Sequence, residues 1–271
     1  MTNQIGATPS GAIASSMNRR LAASKVPRIT AYFWIVKILT TAMGEATADY
    51  LDHRLVPVIA VLIAGLALVA ALVWQFSVRR YFACIYWLVV VLVAVFGTMA
   101  ADGLHYELGF PYILSTLILL LVLGVVFWSW YRSEKTLSIH SIHTPRREAF
   151  YWITVMATFA LGTAAGDLTA NTLGLGYLGS AVLFAVAITL PGLAHWKLRL
   201  DPILAFWIAY VLTRPLGASV ADWVGVPRDL GGLGWGRGTV SIIFSVAIAI
   251  LVAYLARTGK DDPSSDATPA A

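Results

Sequence analysis

Uninterrupted apolar runs of about twenty residues recur along this chain, and each is long enough to cross a bilayer as an α-helix. Short polar stretches separate them. The runs predict eight transmembrane helices, at 31–51, 55–75, 82–104, 111–131, 150–171, 176–195, 203–224 and 239–256. The predicted fold class is therefore an all-α membrane protein. The polar ends, residues 1–29 and 257–271, are predicted to be disordered cytoplasmic segments.

Composition agrees with this pattern. Of 271 residues, 59% are hydrophobic and 12% are charged, whereas a soluble domain carries about 25% charged residues. The single cysteine, Cys84, excludes an internal disulfide and a cysteine-based metal cluster. The net charge of +5 is expected to report orientation in the membrane rather than binding to nucleic acid. We expect no nucleic-acid partner and no cofactor.

The basic residues predict the orientation of the helices. With eight spans, 14 of the 19 Lys and Arg residues fall on one side, three fall on the other, and two lie inside spans. Cytoplasmic loops are the ones enriched in Lys and Arg. Both termini are therefore predicted to be cytoplasmic, and an odd number of spans would destroy the asymmetry.

Four internal repeats share the spacing W-x9-G-x4-D, and an aromatic residue precedes each tryptophan. The approximate repeat boundaries are 30–78, 82–132, 148–197 and 203–256. Each repeat is two helices long, so all four enter the membrane in the same direction. The motif residues are Trp34, Gly44 and Asp49; Trp87, Gly97 and Asp102; Trp152, Gly162 and Asp167; and Trp207, Gly217 and Asp222.

The motif residues predict how the helices are arranged. Each glycine begins a small-xxx-small pair, which lets helix backbones approach closely. We therefore expect the odd-numbered helices to form an inner ring and the even-numbered, almost wholly apolar helices to face lipid. The tryptophans are interpreted as an interfacial belt at the cytoplasmic face, with a gating role as the alternative.

A polar stripe runs along each odd-numbered helix, because residues four apart lie on one helix face. Counting back from each aspartate in steps of four gives a matching set of positions in every repeat. The stripe positions are Lys37, Thr41, Glu45 and Asp49; Val90, Ala94, Thr98 and Asp102; Val155, Phe159, Thr163 and Asp167; and Tyr210, Arg214, Ala218 and Asp222.

Charged residues at membrane depth are functional-site candidates because they are costly to bury. Two interpretations of Glu45, Lys37 and Arg214 remain open: a structural charge cluster, or a role in transport. The four aspartates are expected to share a water-filled cavity, although helix capping and inter-helix hydrogen bonds are alternatives. Carboxylates with the hydroxyls of Thr41, Thr98 and Thr163 suit a hard cation or protons. Asp49, Asp102, Asp167 and Asp222 are thus the candidate metal ligands.

The four W-x9-G-x4-D units resemble a bacterial membrane-protein family of four tandem two-helix repeats of unknown function, each with a characteristic tryptophan. The resemblance covers about residues 30–256 and rests on Trp34, Trp87, Trp152 and Trp207 with their following Gly and Asp. It implies an eight-helix fold in the bacterial inner membrane. No activity comes with it.

The function predicted from these residues is membrane transport. A carrier or exporter of a small cation, either a hard divalent metal ion or a proton-coupled substrate, would use the intramembrane carboxylates as ligands or proton relays. The alternative is a non-transporting membrane scaffold or sensor in which the stripe only orders helices. The chain lacks HExxH, GxSxG and GxGD motifs, so an enzyme is not expected.

Overall fold

A computed structural model describes residues 24–263, and these residues form helices joined by short connections, without a strand. The eight helices are α1 Ala31–Arg54, α2 Pro57–Ser77, α3 Ala83–Asp102, α4 Tyr112–Glu134, α5 Pro145–Asp167, α6 Gly176–Leu198, α7 Pro202–Gly225 and α8 Arg237–Thr258. One π-helical turn extends α3 over Gly103–Glu107 and another extends α5 over Leu168–Thr172. The prediction of an all-helical fold with eight helices is confirmed.

Seven of these helices are long and apolar enough to cross a membrane, which makes the chain compatible with a multi-pass membrane protein. The exception is α1, whose 24 residues include Lys37, Glu45 and Asp49. Its length is sufficient, but these polar residues lower its hydropathy. Burial of Lys37 and Glu45 inside the helix bundle explains how α1 carries them.

The first helix of each repeat belongs to an inner ring, in which α1 packs on α3, α3 on α5, α5 on α7 and α7 on α1. Each second helix packs outside the ring against the first helix of the next repeat. The outer pairs are α2 on α3, α4 on α5, α6 on α7 and α8 on α1. In the most apolar segments, 22% of residues are buried in each outer helix, against 50–72% in α3, α5 and α7. Inner helices thus bury their side chains in the protein, and outer helices leave most of theirs exposed.

The motif glycines lie where neighbouring inner helices touch. A Cβ atom at Gly97 would lie 2.8 Å from the Cβ of Phe159, which no real side chain tolerates. Each motif glycine faces the residue three positions before the glycine of the next repeat. The four pairs are Gly44–Ala94, Gly97–Phe159, Gly162–Arg214 and Gly217–Thr41. Since the fourth pair returns to the first repeat, the glycines close the ring with the same contact in every repeat.

Three of the inner helices begin with side-chain caps, and all three caps lie at the tryptophan end of the bundle, where Trp34, Trp87, Trp152 and Trp207 are found. Thr30 caps α1, Thr144 caps α5, and the carboxylate of Asp201 accepts hydrogen bonds from two backbone N–H groups of α7, each 3.0 Å long. Such caps satisfy N–H groups that lack a partner in the first helical turn. The opposite end, with Asp49, Asp102, Asp167 and Asp222, is called the aspartate end below.

The described parts of the two end segments are ordered, contrary to the prediction. Residues 24–29 and 257–263 belong to the segments predicted to be disordered, yet Lys25 forms a 2.7 Å ion pair with buried Glu148 of α5. The backbone N–H of Arg28 donates to the carbonyl of Asp261 at 2.9 Å, and the hydroxyl of Tyr81 donates to the Asp261 carboxylate. Hydrogen bonds and an ion pair to buried groups hold these segments in place. Composition alone does not reveal such partners. Residues 1–23 and 264–271 lie outside the described part of the chain.

Candidate functional site

The polar stripe of each inner helix faces the axis of the ring. Stepping along it from the tryptophan end gives four levels, each with one residue from every repeat. All side chains at the first three levels are buried, whereas the four aspartates of the last level are partly exposed. The first three levels are Lys37, Val90, Val155 and Tyr210; Thr41, Ala94, Phe159 and Arg214; and Glu45, Thr98, Thr163 and Ala218. The axis is thus closed along most of its length and opens at the aspartate end.

Arg214 joins all four inner helices at one guanidinium group, and its side chain is completely buried. Three acceptors share the two N–H groups of Nη2: Glu45 Oε2 at 2.5 Å, the hydroxyl oxygen of Thr163 at 2.6 Å, and the hydroxyl oxygen of Thr98. Glu45 is on α1, Thr98 on α3 and Thr163 on α5. The small Ala218 at the matching position of α7 avoids a fourth side chain at this level.

The threonines are suited to this arrangement because a hydroxyl both donates and accepts. Thr98 donates to the carbonyl of Ala94 at 2.9 Å, and Thr163 donates to the carbonyl of Phe159 at 3.3 Å. Their oxygen lone pairs then face the Arg214 guanidinium. The hydroxyl of Thr41, one level nearer the tryptophan end, instead donates to Ile38 at 2.6 Å. Thr98 and Thr163 therefore belong to the charged group on the axis, and Thr41 is beside it.

Lys37 does not join this group. Of the two cations considered as partners for Glu45, the structure selects Arg214. The Lys37 ammonium lies over two aromatic faces, with Nζ 3.7 Å from the ring centroid of Phe159 and 4.3 Å from that of Tyr210. Its side chain is buried, and Nζ has no hydrogen-bond partner among residues 24–263. Two helical turns separate it from Glu45, which explains why it cannot reach the carboxylate.

The aspartate end contains a group of carboxylates with the spacing of a metal site. Glu45, Asp49 and Asp222 each offer an oxygen, and these atoms lie within 4.8 Å of one another. Asp102 and Asp167 interact electrostatically with Glu45 but stand outside this group. Of the four predicted metal ligands, Asp49 and Asp222 therefore belong to the close group with Glu45, and Asp102 and Asp167 lie outside it. Carboxylate oxygens in this arrangement could hold a hard cation.

Asp49 has a basic partner that the sequence analysis missed. Arg237 Nε donates to Asp49 Oδ2 at 2.6 Å, and both side chains are partly exposed. Arg237 is the first residue of α8, and the preceding loop folds back on the end of α7 and on Val226 through four backbone hydrogen bonds of 2.7–3.1 Å. The loop therefore holds Arg237 over the carboxylates. The sequence held one signal for Arg237. Only three basic residues fall on this side of the predicted topology, and Arg237 is one of them.

A cavity of about 320 Å³ opens beside these residues, toward α1, α2 and α3. Its polar lining residues are Asp49, Asp52, His53, Asp102, Tyr106, Glu107 and Arg237. It gives water access to two of the four motif aspartates, whereas Asp167 and Asp222 are not among its lining residues. The access path is therefore displaced from the ring axis toward the first and second repeats.

The tryptophan end is closed by aromatic rings. In each repeat, the aromatic residue before the tryptophan contacts the tryptophan of the next repeat, with ring centroids 5.5–6.3 Å apart. These contacts are Phe33–Trp87, Tyr86–Trp152, Tyr151–Trp207 and Phe206–Trp34. The interpretation of the motif tryptophans as an interfacial belt is wrong, because three of them are at most 4% exposed and the fourth is half-buried. Their rings close one end of the ring of helices, and the gating role stays a prediction.

Extending the stripe by four more residues toward the tryptophan end would have predicted this seal. Phe33, Tyr86, Tyr151 and Phe206 each precede Lys37, Val90, Val155 and Tyr210 by four residues and therefore share the axial face. The tryptophans of the outer helices fall into two groups. Trp74, Trp128 and Trp196 are exposed, whereas Trp130 of α4 is buried against Trp207.

Comparison with known proteins identifies the repeats. Residues 32–81, 85–136, 150–200 and 205–261 each match the family described as Repeat of Unknown Function (DUF347). No curated protein and no solved structure matches the chain. The chain belongs to the DUF347 repeat family, with four tandem copies that coincide with the four helix pairs.

Proposed function

We propose that this four-repeat membrane protein is a carrier or exporter of a small hard cation, such as a divalent metal ion, with Glu45, Asp49 and Asp222 as its ligands. The observation that carries the proposal is the run of charged groups on one axis. Partly exposed aspartates are followed inward by the buried Glu45–Arg214 pair and then by Lys37. Charged groups in such positions cost stability and are typical of transport pathways.

The ligand set indicates the kind of cation. The close group offers oxygen atoms from three carboxylates, and the nearest histidine, His53, directs Nδ1 to a backbone carbonyl at 2.7 Å. All-oxygen coordination suits magnesium, calcium or manganese better than copper or zinc. Three carboxylates drawn together also repel one another unless a cation or proton neutralises them. Arg237 and Arg214 supply part of that charge in the unloaded protein.

The two ends of the axis support a carrier rather than an open channel. The aspartate end has a water-accessible cavity, and the tryptophan end is sealed by packed aromatic rings. A cation that enters from the aspartate end would meet the carboxylates before the Arg214 barrier. Passage would require Glu45 to exchange Arg214 for the cation and the aromatic seal to open, which are the two steps of alternating access.

The orientation follows from the basic residues. Fourteen of 19 Lys and Arg belong to loops at the tryptophan end or to the chain ends. The positive-inside rule places that end and both termini in the cytoplasm, with the carboxylates toward the outside. We infer a multi-pass location in a bacterial inner membrane. Lipid and the transported cation or proton are then the partners, and neither nucleic acid nor a cofactor is needed.

A second candidate, a non-transporting scaffold or sensor, is favoured by one observation. The terminal Nη2 of Arg214 is saturated by Glu45 and two threonines, so the pair can serve as a structural clasp of four helices. In a scaffold, neutralising the carboxylates would change thermal stability without changing ion movement. Nothing about this chain points to an enzyme as a third candidate.

Flux in liposomes separates these candidates. Purified protein in proteoliposomes with an entrapped metal-sensitive dye would be exposed to Mn²⁺, Mg²⁺ or Ca²⁺, and Asp49, Asp102, Asp167 and Asp222 would each be changed to Asn. We expect Asp49→Asn, Asp222→Asn and Glu45→Gln to reduce flux about tenfold or more, which corresponds to losing about 1.4 kcal/mol of binding. The change Asp229→Asn, in an exposed loop at the same end, is the matched control. Equal flux in all variants would reject the carrier.

A further inference from the structure

Lys37 is a buried amine that no acidic side chain accompanies. Its side chain is 1% exposed, and Nζ has no hydrogen-bond acceptor among residues 24–263. A buried ammonium is ordinarily paired with a carboxylate, because an unpaired charge in an apolar interior is very costly. Here the buried carboxylate on the same stripe, Glu45, is engaged by Arg214. The neighbouring charge is therefore Arg214 itself, which repels a protonated Lys37.

The groups around Lys37 allow it to exist with or without its proton. The faces of Phe159 and Tyr210 stabilise an ammonium by cation–π contact, and a neutral amine in the same place leaves no unpaired charge. The ionisable groups facing it from packed helices are Arg214 and Tyr210 of α7. The adjoining α3 offers Val90, and α8 has no ionisable residue between Thr239 and Ala253. Neither state is locked by a salt bridge.

Three buried tyrosines lie between Lys37 and the tryptophan end. The hydroxyls of Tyr86 and Tyr151 are 2.5 Å apart. The ring of Tyr210 contacts Lys37, and its hydroxyl has no hydrogen-bond partner among residues 24–263. All three tyrosines are at most 1% exposed. The Tyr86 ring lies 5.8 Å from that of Tyr81, which donates a hydrogen bond to Asp261 near the chain end. The equivalent positions in repeats one and four are Phe33 and Phe206, so the hydroxyls are confined to one side of the seal.

We propose that Lys37 is the proton-binding site of this protein and that its proton leaves toward the tryptophan end past Tyr210, Tyr151 and Tyr86, which makes the cation carrier proton-coupled. This inference rests on the proposed function. A cation bound by Glu45, Asp49 and Asp222 competes with Arg214 for Glu45. The released guanidinium charge then acts on Lys37 across one helical turn, and Lys37 gives up its proton.

The proton step balances without another reactant. The Nζ–H bond of the ammonium breaks, and its electron pair stays on nitrogen. Neither Nζ nor the Tyr210 hydroxyl has a hydrogen-bond partner among residues 24–263, so the transfer requires these side chains to move into contact. The proton then passes to the tyrosine hydroxyl oxygen while that hydroxyl passes its own proton onward, so each tyrosine ends neutral. The last proton reaches water or the Asp261 carboxylate at the tryptophan end. One positive charge leaves the axis as the cation arrives.

Proton release on metal binding tests the proposal. The full-length protein in detergent would be titrated with MnCl₂ by calorimetry in two buffers of different ionisation enthalpy, which gives the number of protons released per metal bound. We expect the unmodified protein to release one proton more than Lys37→Met. The change Lys197→Met, at an exposed position on α6, is the matched control and should leave the count unchanged. Size-exclusion profiles establish that each variant is folded, and Lys37→Gln replaces Lys37→Met if the latter is not.

Three further outcomes are decisive. Metal binding with the same proton count in wild type and Lys37 variants would overturn this inference and leave the cation site standing. Absence of metal binding in the wild type would reject the proposed function, and the coupling with it. Stopped-flow measurement with a pH dye should show that Tyr151→Phe slows proton release while leaving the count at equilibrium unchanged. An unchanged rate would remove the tyrosines from the pathway.

Discussion

The inner and outer helices of each repeat have similar lengths but opposite relations to their surroundings. Outer helices α2, α4, α6 and α8 are apolar and mostly exposed, whereas inner helices carry the glycines, the stripe and every charge on the axis. The same substitution should therefore have a larger effect in an inner helix than in an outer helix. Average hydropathy is enough to predict the outer helices. The contacts of the inner helices can be predicted only by comparing the repeats position by position.

The largest expected effect comes from filling an inner helix contact. A Cβ at Gly162 would lie 2.5 Å from the Cβ of Arg214 and 2.9 Å from Cδ of Pro215, while one at Gly124 on outer helix α4 would meet nothing within 4 Å. We expect Gly162→Ala to prevent folding of the ring, an overpacking cost beyond the usual ~1–3 kcal/mol, because three atoms would lie within 3 Å of the new Cβ. Gly124→Ala should be neutral or stabilise by up to about 1 kcal/mol. Thermal unfolding monitored by size exclusion compares them, and equal effects would contradict the close packing of the ring.

Removing one member of the buried ion pair comes next. Arg214→Met leaves Glu45 without its cation in the interior, which typically costs about 3–5 kcal/mol. The double change Glu45→Met with Arg214→Met should recover most of that loss, since no uncompensated charge remains. Arg199→Met, at a connection outside the ring, serves as the control. If the double variant is no more stable than Arg214→Met, the pair is not the source of the penalty.

A smaller effect is expected at the aspartate end, where the ion pair is partly exposed. Arg237 competes with a bound cation for Asp49. We expect Arg237→Met to tighten Mn²⁺ binding about fivefold, equivalent to about 1 kcal/mol, the upper range of a surface ion pair. Calorimetric titration measures this change. Weaker binding would instead make Arg237 a residue that positions the carboxylate.

The smallest effect concerns the chain end at the tryptophan end. Burial raises the pKa of Asp261, so its packing is strongest below the ordinary aspartate pKa and weakens as pH rises through the raised value. Tyr81→Phe removes a hydrogen bond to this residue and should cost about 1 kcal/mol. Limited proteolysis should then cleave the C-terminal segment faster in the variant, and faster at higher pH in both proteins. Cleavage rates independent of pH would exclude Asp261 as the controlling group.

Sequence reasoning predicted the helices, the repeat and the inward face of the stripe because each depends on periodicity alone. It also placed Glu45, Thr98, Thr163 and Arg214 in one set of candidates. It did not predict that Arg214 rather than Lys37 reaches Glu45, since that depends on the height and rotation of α7 relative to α1. Arg237 was missed for a related reason, as only the fold of its loop brings it to Asp49.

The exchange of partners between repeats has a consequence for how such a ring can be assembled. Because every outer helix packs on the inner helix of the following repeat, and α8 packs on α1, no junction in the ring is distinguished by its contacts. The backbone contact between Arg28 and Asp261 joins the segment before α1 to the segment after α8. A circularly permuted chain that starts at the second repeat should therefore build the same ring. So should two separate half-proteins, each of two repeats, which would associate as a pseudo-symmetric dimer.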